Sequence, residues 1–230
     1  MPDQLISYKG IRKIIGDRMR ESLDSAAQAN HRLRVDMTSA IDFRLEFTRN
    51  EGVRPSFNDM IVKATAVALR EFPLMNSELT GTDILLHEDI NIGIAVATDN
   101  GLMVPVIRDC DQKSLNEIIF AAQELTEKAR TRRLPLSDMQ GGTFTVSNLG
   151  MFGLEGFTAI INPPQAAILA VGSIIKTPTV INDVVVVRPI MELSLSYDHR
   201  IVDGAPAARF LSRIRDLIEN MNWCLQPQNI

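Results

Sequence analysis

Near the C-terminus, the run Ser196-Tyr-Asp-His-Arg-Ile-Val-Asp-Gly204 gathers the densest set of chemically able side chains in the chain. An imidazole changes charge within the neutral range, which makes His199 a candidate general base. Asp203, four residues on, is placed to fix a cation or to orient the loop, and Gly204 to let the backbone turn into whatever follows. Spacing by itself leaves two readings open, a proton-transfer site or a structural ion-pair cluster, because ion-pair networks also perturb titration.

Other candidates are weaker when taken singly. Ser147 closes Thr143-Phe-Thr-Val-Ser147 and alone reads as an ordinary serine at a strand end. His31 opens a strand and His87 sits between Leu86 and Glu88; both read as structural, since most histidines are neither ligands nor bases. Gly150, Gly153 and Gly156 form a G-x-x-G-x-x-G run whose spacing is wrong for a dinucleotide loop, so a flexible turn is expected. Cys110 and Cys224 form neither a disulfide framework nor a metal-spaced cluster, which fits a reducing compartment and a metal-free fold.

The candidate loop must be held by the elements around it. Residues 11–24 place Ile11, Ile14, Ile15, Met19 and Leu23 on one helical stripe. His31 to Asp36 alternates as a strand and leads into a helix with Thr38 as expected N-cap, ending near Asn50. Ser56-Phe-Asn-Asp59 and Ser114-Leu-Asn-Glu117 are capping boxes. The first opens a helix rich in Ala, Val and Leu from Met60 to Phe72 that should be buried, the second a helix to about Arg130, and Ser137 to Gln140 suggests one more short turn. Ile84–Leu86, Ile90–Ala97 and Leu102–Ile107 read as strands, with Asp99-Asn-Gly101 as a tight hairpin that makes the sheet partly antiparallel. After Gly141 come Thr143–Ser147, Ala166–Ser173, Val184–Val187 and Ile190–Ser196, short β-rich runs separated by Gly, Pro or Asn-Asp turns. A last helix, about Ala205 to Asn220, should bury Phe210, Leu211, Ile214, Leu217 and Ile218.

With 45% hydrophobic and 23% charged residues, the 230-residue chain has material for a sizeable core, and one large domain over residues 1–230 is expected. A net charge of -4 argues against a nucleic-acid-binding surface and leaves Arg130, Arg132 and Arg133 as a local cluster. The most hydrophobic stretch, Ala166 to Ile175, falls well short of the roughly 18 residues that span a bilayer. Met1 to Lys9 lacks the layout of a signal or transit peptide, so a soluble protein of the cytoplasm, or of the mitochondrial matrix in a eukaryote, is expected.

With D-H-R-x-x-D-G in view, the chain resembles the catalytic domains of the dihydrolipoamide acyltransferases of 2-oxo acid dehydrogenase complexes. The similarity runs from Lys9 to Glu219. It includes Arg12-Lys13 with Arg18-Met19, Glu71-Phe-Pro-Leu-Met-Asn76, Asn91-Ile-Gly-Ile-Ala-Val-Ala97 and Gly101-Leu-Met-Val-Pro-Val106. Gly141-Gly-Thr-Phe-Thr-Val-Ser-Asn148 and Ile161-Asn-Pro-Pro-Gln-Ala-Ala-Ile-Leu-Ala-Val-Gly172 complete it, in the family's order.

That resemblance implies an α/β fold like chloramphenicol acetyltransferase, an α+β two-layer sandwich with a mixed sheet flanked by helices. It also implies a homotrimer with three interfacial active sites. The signature histidine of one subunit would meet a hydroxyl of its neighbour in a channel entered by coenzyme A at one end and lipoamide at the other; the matching positions are His199 and Ser147. Such chemistry asks for this pair. Passing a proton from a thiol near pKa 8.5 to an imidazole near 6.5 is uphill by about 2 units, or roughly 2.7 kcal/mol. A donor aimed at the tetrahedral oxyanion contributes about a hundred- to a thousandfold in rate. The attacking group already carries a thiol, so no acyl-enzyme and no Ser-His-Asp triad is needed. Asp203 is expected instead to be a structural ion-pair partner of Arg18 or Arg12, and Ser114, Lys113 and Asn148 are candidate coenzyme A contacts.

Nothing in the chain resembles a lipoyl domain or a peripheral-subunit-binding domain. The lipoyl group would therefore be carried on another domain or chain, with a 2-oxo acid decarboxylase and a dihydrolipoamide dehydrogenase as further partners. Ser147 to Gly153 and Ile161 to Gln165 look most like acetyltransferases of pyruvate dehydrogenase, with succinyl and branched-chain specificity as alternatives. The ending Trp223 to Ile230 departs from the short apolar tail of members that join trimers into shells, so a trimer is the minimum assembly expected. The rival readings are a non-catalytic core that gathers other enzymes and a free acetyltransferase acting on a small hydroxylated or amine substrate.

Overall fold

In the computed structural model, which describes residues 3–98 and 101–225, α1 (Ile11–Ser25) leads into β1 (Gln28–Asp36), α2 (Thr38–Glu51) and α3 (Phe57–Glu71). Six short strands follow: β2 (Ser77–Thr80), β3 (Asp83–Leu86), β4 (Ile92–Ile94), β5 (Val96–Thr98), β6 (Gly101–Met103) and β7 (Val106–Ile107). Then come α4 (Leu115–Arg130), β8 (Phe144–Asn148), the long pair β9 (Ala167–Ile181) and β10 (Val184–Asp198), and α5 (Gly204–Glu219). The main sheet has the order β1-β10-β9-β8-β4-β7, with β8 parallel to both β9 and β4 and the other neighbours antiparallel. This is the expected mixed sheet. Strands β2 and β3 form a separate hairpin, and β2 was not anticipated.

Both capping boxes form, with Ser56 and Asp59, and Ser114 and Glu117, exchanging side-chain and backbone bonds. Rich in Ala, Val and Ile, α3 is buried from Asp59 to Ala66 and at Ala68 and Leu69, and packs against α4 and α5. The expected stripe of α5 packs on β1 and β10, and Phe210 meets Phe72 and Phe144 edge-on at 5.8 Å.

Four expectations need correction. Thr38 is the first residue of α2, not its cap: Asp36 Oδ1 accepts from Thr38 N at 2.9 Å and Thr38 Oγ1 at 2.5 Å, so a carboxylate two residues upstream serves the helix end. Ile90–Ala97 is not one strand, because Ala95 N bonds Val146 O and the chain leaves the main sheet there, β5 pairing with β6 instead. Asp99 and Asn100, which carry the expected hairpin turn, lie outside the described residues. Val184–Val187 and Ile190–Ser196 are one strand through Pro189. N–H and C=O of a residue point to the same side of an antiparallel strand. Pro189 O accepts from Met37 N, so its missing donor faces the end of β1, where no ladder needs it. At the opposite end of this ribbon, Asn182 and Asp183 both take positive φ, the two-residue turn that the right-handed twist of a hairpin favours. Finally, Leu102–Ile107 is not one strand but two, β6 in a hairpin with β5 and β7 at the edge of the main sheet. In α1, Ile14 is 67% and Leu23 52% exposed, while Ser22 is buried and donates to Ile161 O.

Alternation along β10 sends Leu193, Leu195 and Tyr197 toward the helices and Ser194, Ser196 and Asp198 to the opposite face, yet both sets are buried. Residues 157–161 cover the second face: Ser196 Oγ donates to Ala159 O at 2.6 Å, Arg32 reaches Thr158 Oγ1 at 2.7 Å, and Ala159, Ile161, Ile168 and Ala170 make a small apolar cluster.

Candidate functional site

The loop after β10 is pinned at its root. Asp198 is buried, and its carboxylate accepts from Ala27 N at 3.2 Å, Arg200 N at 3.0 Å and the Arg200 guanidinium at 2.6 to 3.0 Å. Burial alone would raise this carboxyl, but the Arg200 side-chain and backbone bonds, the guanidinium charge and Ala27 N–H together hold it below the usual range. His199 N donates to Ala27 O, and Ile201 N and Val202 N both return to Asp198 O. Because Ile201 and Val202 are buried as anchors, the side chains of His199 and Asp203 are left outside, 49% and 85% exposed.

His199 Nδ1 lies 3.9 Å from Asp203 Oδ1, a loose charge contact beyond hydrogen-bond range. Asp203 pairs with neither arginine expected of it. Arg18 donates to Pro163 O at 2.6 Å, Arg12 has no ion pair among the described residues, and the signature's ion pair is Asp198 with Arg200 instead. Asp203 lies beside the imidazole of its own loop. Nor does Gly204 need positive φ; it is the first residue of an ordinary helix, and an added Cβ there would meet His31 Nε2 and Tyr197 OH at an unstrained 3.6 Å.

Ser147 belongs to a different place. Period-two alternation puts Thr143, Thr145 and Ser147 on one face of β8 and its approach. Thr143 Oγ1 bonds the Asn91 backbone and Thr145 Oγ1 donates to Gln165 Oε1 at 2.6 Å. Among the described residues the Ser147 hydroxyl makes no hydrogen bond, so the third position of the series keeps its donor available. It lines a cleft of about 800 Å³ together with Ile94, Val96 and Asn148. Asn148 shapes the adjoining turn, its Oδ1 accepting from Gly150 N at 2.8 Å and its Nδ2 donating to Asn58 Oδ1 at 3.3 Å.

Three guanidinium groups also line this cleft, Arg44 from α2, Arg54 before α3 and Arg130 at the end of α4, and the sequence showed no motif joining them. Arg44 stacks 4.6 Å above the Phe57 ring, and burial, followed by the charge of Arg54, lowers its pKa. Lys113 and Ser114 lie outside the cleft, which meets α4 only from Ala122 to Arg130. Ser114 is committed to Glu117, whose carboxyl its hydrogen bonds hold below the usual range, and the Lys113 carbonyl accepts from buried Lys63. Ser114 thus caps α4, while Lys113 enters through its carbonyl.

One chain does not bring His199 to Ser147. Ser147 pairs with Ala170, Ala170 with Ser194, and His199 lies five residues past Ser194. Two strand spacings of ~4.8 Å across and five residues of ~3.3 Å along separate the two Cα atoms by ~19 Å. Sequence reading also missed Tyr197 and His31, whose rings pack 5.1 Å apart, and Asp198. The signal available was Tyr-Asp directly before His199, at the end of a strand whose alternation must bury one and anchor the other.

Residues 2–225 match the catalytic-domain family of 2-oxoacid dehydrogenase acyltransferases. The lipoamide acyltransferase component of the branched-chain alpha-keto acid dehydrogenase complex of Bacillus subtilis is 43% identical over 96% of this chain and 53% of its own length. A dihydrolipoyllysine-residue succinyltransferase of the 2-oxoglutarate dehydrogenase complex, from Bartonella vinsonii subsp. berkhoffii, is 40% identical over 96% of this chain and 54% of its own. The chain thus spans about half the length of the curated relatives it matches. Among solved structures, the dihydrolipoamide acetyltransferase of Azotobacter vinelandii superposes with a TM-score of 0.92 at 35% identity, covering 98% of this chain and 95% of that one. That study addressed the role of a serine, a histidine and an asparagine in the catalytic mechanism. The cubic core of a pyruvate dehydrogenase multienzyme complex matches with the same score, identity and coverage. Chloramphenicol acetyltransferase, at 14% identity over 94% of this chain and 99% of its own with a TM-score of 0.56, shares the fold.

Proposed function

The chain belongs to the 2-oxoacid dehydrogenase acyltransferase family through its catalytic domain, and from that membership we propose that it moves an acyl group between a dihydrolipoyl thiol and coenzyme A. The observation carrying the assignment of residues is one of interval. In the Azotobacter enzyme, fifty-two positions separate the serine from the histidine and four separate the histidine from the asparagine; Ser147, His199 and Asp203 stand at those same intervals here, with aspartate replacing asparagine.

In this reading His199 takes the proton from the attacking thiol as its sulfur bonds the thioester carbonyl carbon. Ser147, its hydroxyl uncommitted, donates to the resulting oxyanion. On collapse the carbon–sulfur bond to the departing thiol breaks and the imidazolium returns the proton to that sulfur, so one base serves both directions. Asp203, 3.9 Å from His199 Nδ1, stands where it can orient the imidazole. Arg44, Arg54 and Arg130 suit the phosphates of coenzyme A, with Asn148 beside the reacting end.

The separation of ~19 Å within one chain calls for a second copy, His199 of one meeting Ser147 of the next. A homotrimer closes that arrangement, and the cubic core of the pyruvate dehydrogenase relative, with three-fold axes at its corners, supports it and a larger shell. A lipoyl carrier, a 2-oxo acid decarboxylase and a dihydrolipoamide dehydrogenase are the partners this role requires. Acetyl is the acyl group proposed, on the Ser147–Gly153 and Ile161–Gln165 segments; relatives named for branched-chain and succinyl chemistry are similar enough that identity does not choose among the three.

The test is thioester exchange between acetyl-coenzyme A and dihydrolipoamide, beside a His199→Ala protein of matched oligomeric state. Turnover that falls by roughly a hundredfold or more in the variant is expected. An assembled parent inert toward acetyl, succinyl and branched acyl groups would instead indicate a non-catalytic core.

A further inference from the structure

Resting on that assignment of His199, we infer that His31 is a positioning residue for the catalytic loop. It stands on β1, paired with Leu195 of β10, and shares the helix-facing side of the sheet with Leu33 and Val35. Its Nε2 lies 3.1 Å from the hydroxyl of Tyr197 and 3.1 Å from the carbonyl of Gly204. A carbonyl can only accept, so the tautomer that satisfies Gly204 carries the proton on Nε2, with the Tyr197 oxygen accepting the second branch.

Tyr197 is the next-to-last residue of β10, and Gly204 is the first residue of α5. One ring nitrogen therefore contacts both ends of the segment 198–203, whose exposed members are His199, Arg200 and Asp203. Contact passes on to the base itself. The His31 and Tyr197 rings pack at 5.1 Å and 43°, and the Tyr197 and His199 rings at 5.9 Å and 39°. Tyr197 is fully buried, and among the described residues His31 is the hydrogen-bond partner of its hydroxyl.

Among the described residues no hydrogen bond restrains the His199 imidazole, and Asp203 Oδ1 lies 3.9 Å from its Nδ1. What remains to set its orientation is the face of Tyr197 beneath it and the start of α5 that carries Asp203. Both are tied to His31. Leu33 and Val35, the next residues on the same face, show that the strand folds with aliphatic side chains there, so an imidazole at position 31 answers a need other than core filling.

The experiment compares His31→Ala, His31→Gln and Tyr197→Phe in the full chain, each checked for assembly and thermal unfolding. Glutamine presents an amide N–H₂ near the position of Nε2 and can donate to both acceptors. Expected is a fall in kcat of about tenfold in His31→Ala with KM for both thiols within about twofold of the parent, most of the loss restored in His31→Gln, and a smaller loss in Tyr197→Phe. The chain has three histidines, so ¹³C-histidine labelling resolves the His199 ring resonance, which the His199→Ala protein identifies. That signal should shift and broaden in His31→Ala and return toward its parent position in His31→Gln, whether or not the parent turns over. Should an inert parent still show the spectroscopic change, the reaction assignment fails while the positioning role stands. An unaltered His199 resonance in His31→Ala, or glutamine behaving no better than alanine, overturns the inference. If His31→Ala does not assemble, Tyr197→Phe with an unchanged kcat and an unchanged resonance overturns it equally.

Discussion

Replacing Asp198 should separate the hydrogen-bonding role of this carboxylate from its charge. Asp198→Ala leaves two backbone N–H groups, Ala27 at 3.2 Å and Arg200 at 3.0 Å, without this acceptor; both bonds are part-buried, so each loss costs about 1–2 kcal/mol. The guanidinium it also loses is 42% exposed and can rehydrate, so the ion pair adds only about 1 kcal/mol. Partial relaxation of the loop brings the expected destabilisation to about 3 kcal/mol, a drop in Tm of roughly 6–12 °C for a chain of this size. Asp198→Asn keeps Oδ1 for both N–H groups and loses the charge together with the Oδ2 acceptor of the partly exposed Arg200 guanidinium, about 1 kcal/mol. Urea and thermal unfolding at one fixed protein concentration would measure both, since assembly makes stability concentration-dependent.

The pH dependence fixes the sign. The folded carboxyl is held below its unfolded value near 3.9, so its contribution is present above that pH and lost as pH falls through the folded value. The difference between parent and Asp198→Asn should stay flat from pH 7 to 5 and narrow only below about pH 4. Equal stabilities of the alanine and asparagine variants within about 0.5 kcal/mol, or a gap that narrows above pH 5, would refute the bonding scheme, because the two N–H groups would then not depend on this oxygen.

Ser147→Ala removes a hydroxyl that supports no structure, so kcat should fall by about a hundred- to a thousandfold with the unfolding curve unchanged; a comparable loss of stability would mean that the serine is a structural strand end. Burial pushes the Cys110 thiol up to about 12 and the Cys224 thiol up to about 11. Both should therefore resist alkylation in the folded protein at pH 8, and mass spectrometry showing labelling as fast as in urea would contradict this.

Elements with strong local signals were readable before any contact was known. Ser56 and Ser114 announce their helices because a capping box is settled within four residues, and the α5 stripe is settled by periodicity alone. Pro189 misled because a proline's tolerance depends on which edge its nitrogen faces, and that edge is defined by β1, some 150 positions away. Thr38 misled because two oxygens, its own and that of Asp36, compete for one helix end.

The site divides in the same way. Residue types and order alone determined that this chain carries the D-H-R-x-x-D-G signature, a serine at the end of a T-F-T-V-S segment and no spacing suited to a bound metal or dinucleotide. Tertiary structure decided that Asp198 and not Asp203 holds the ion pair, that three arginines from separate elements share a cleft with Ser147, and that Ser147 and His199 face different ends of the sheet. Chemistry belongs to side-chain identity and is written residue by residue. Distance depends on strand order and register, which are set by long-range burial that no local interval records.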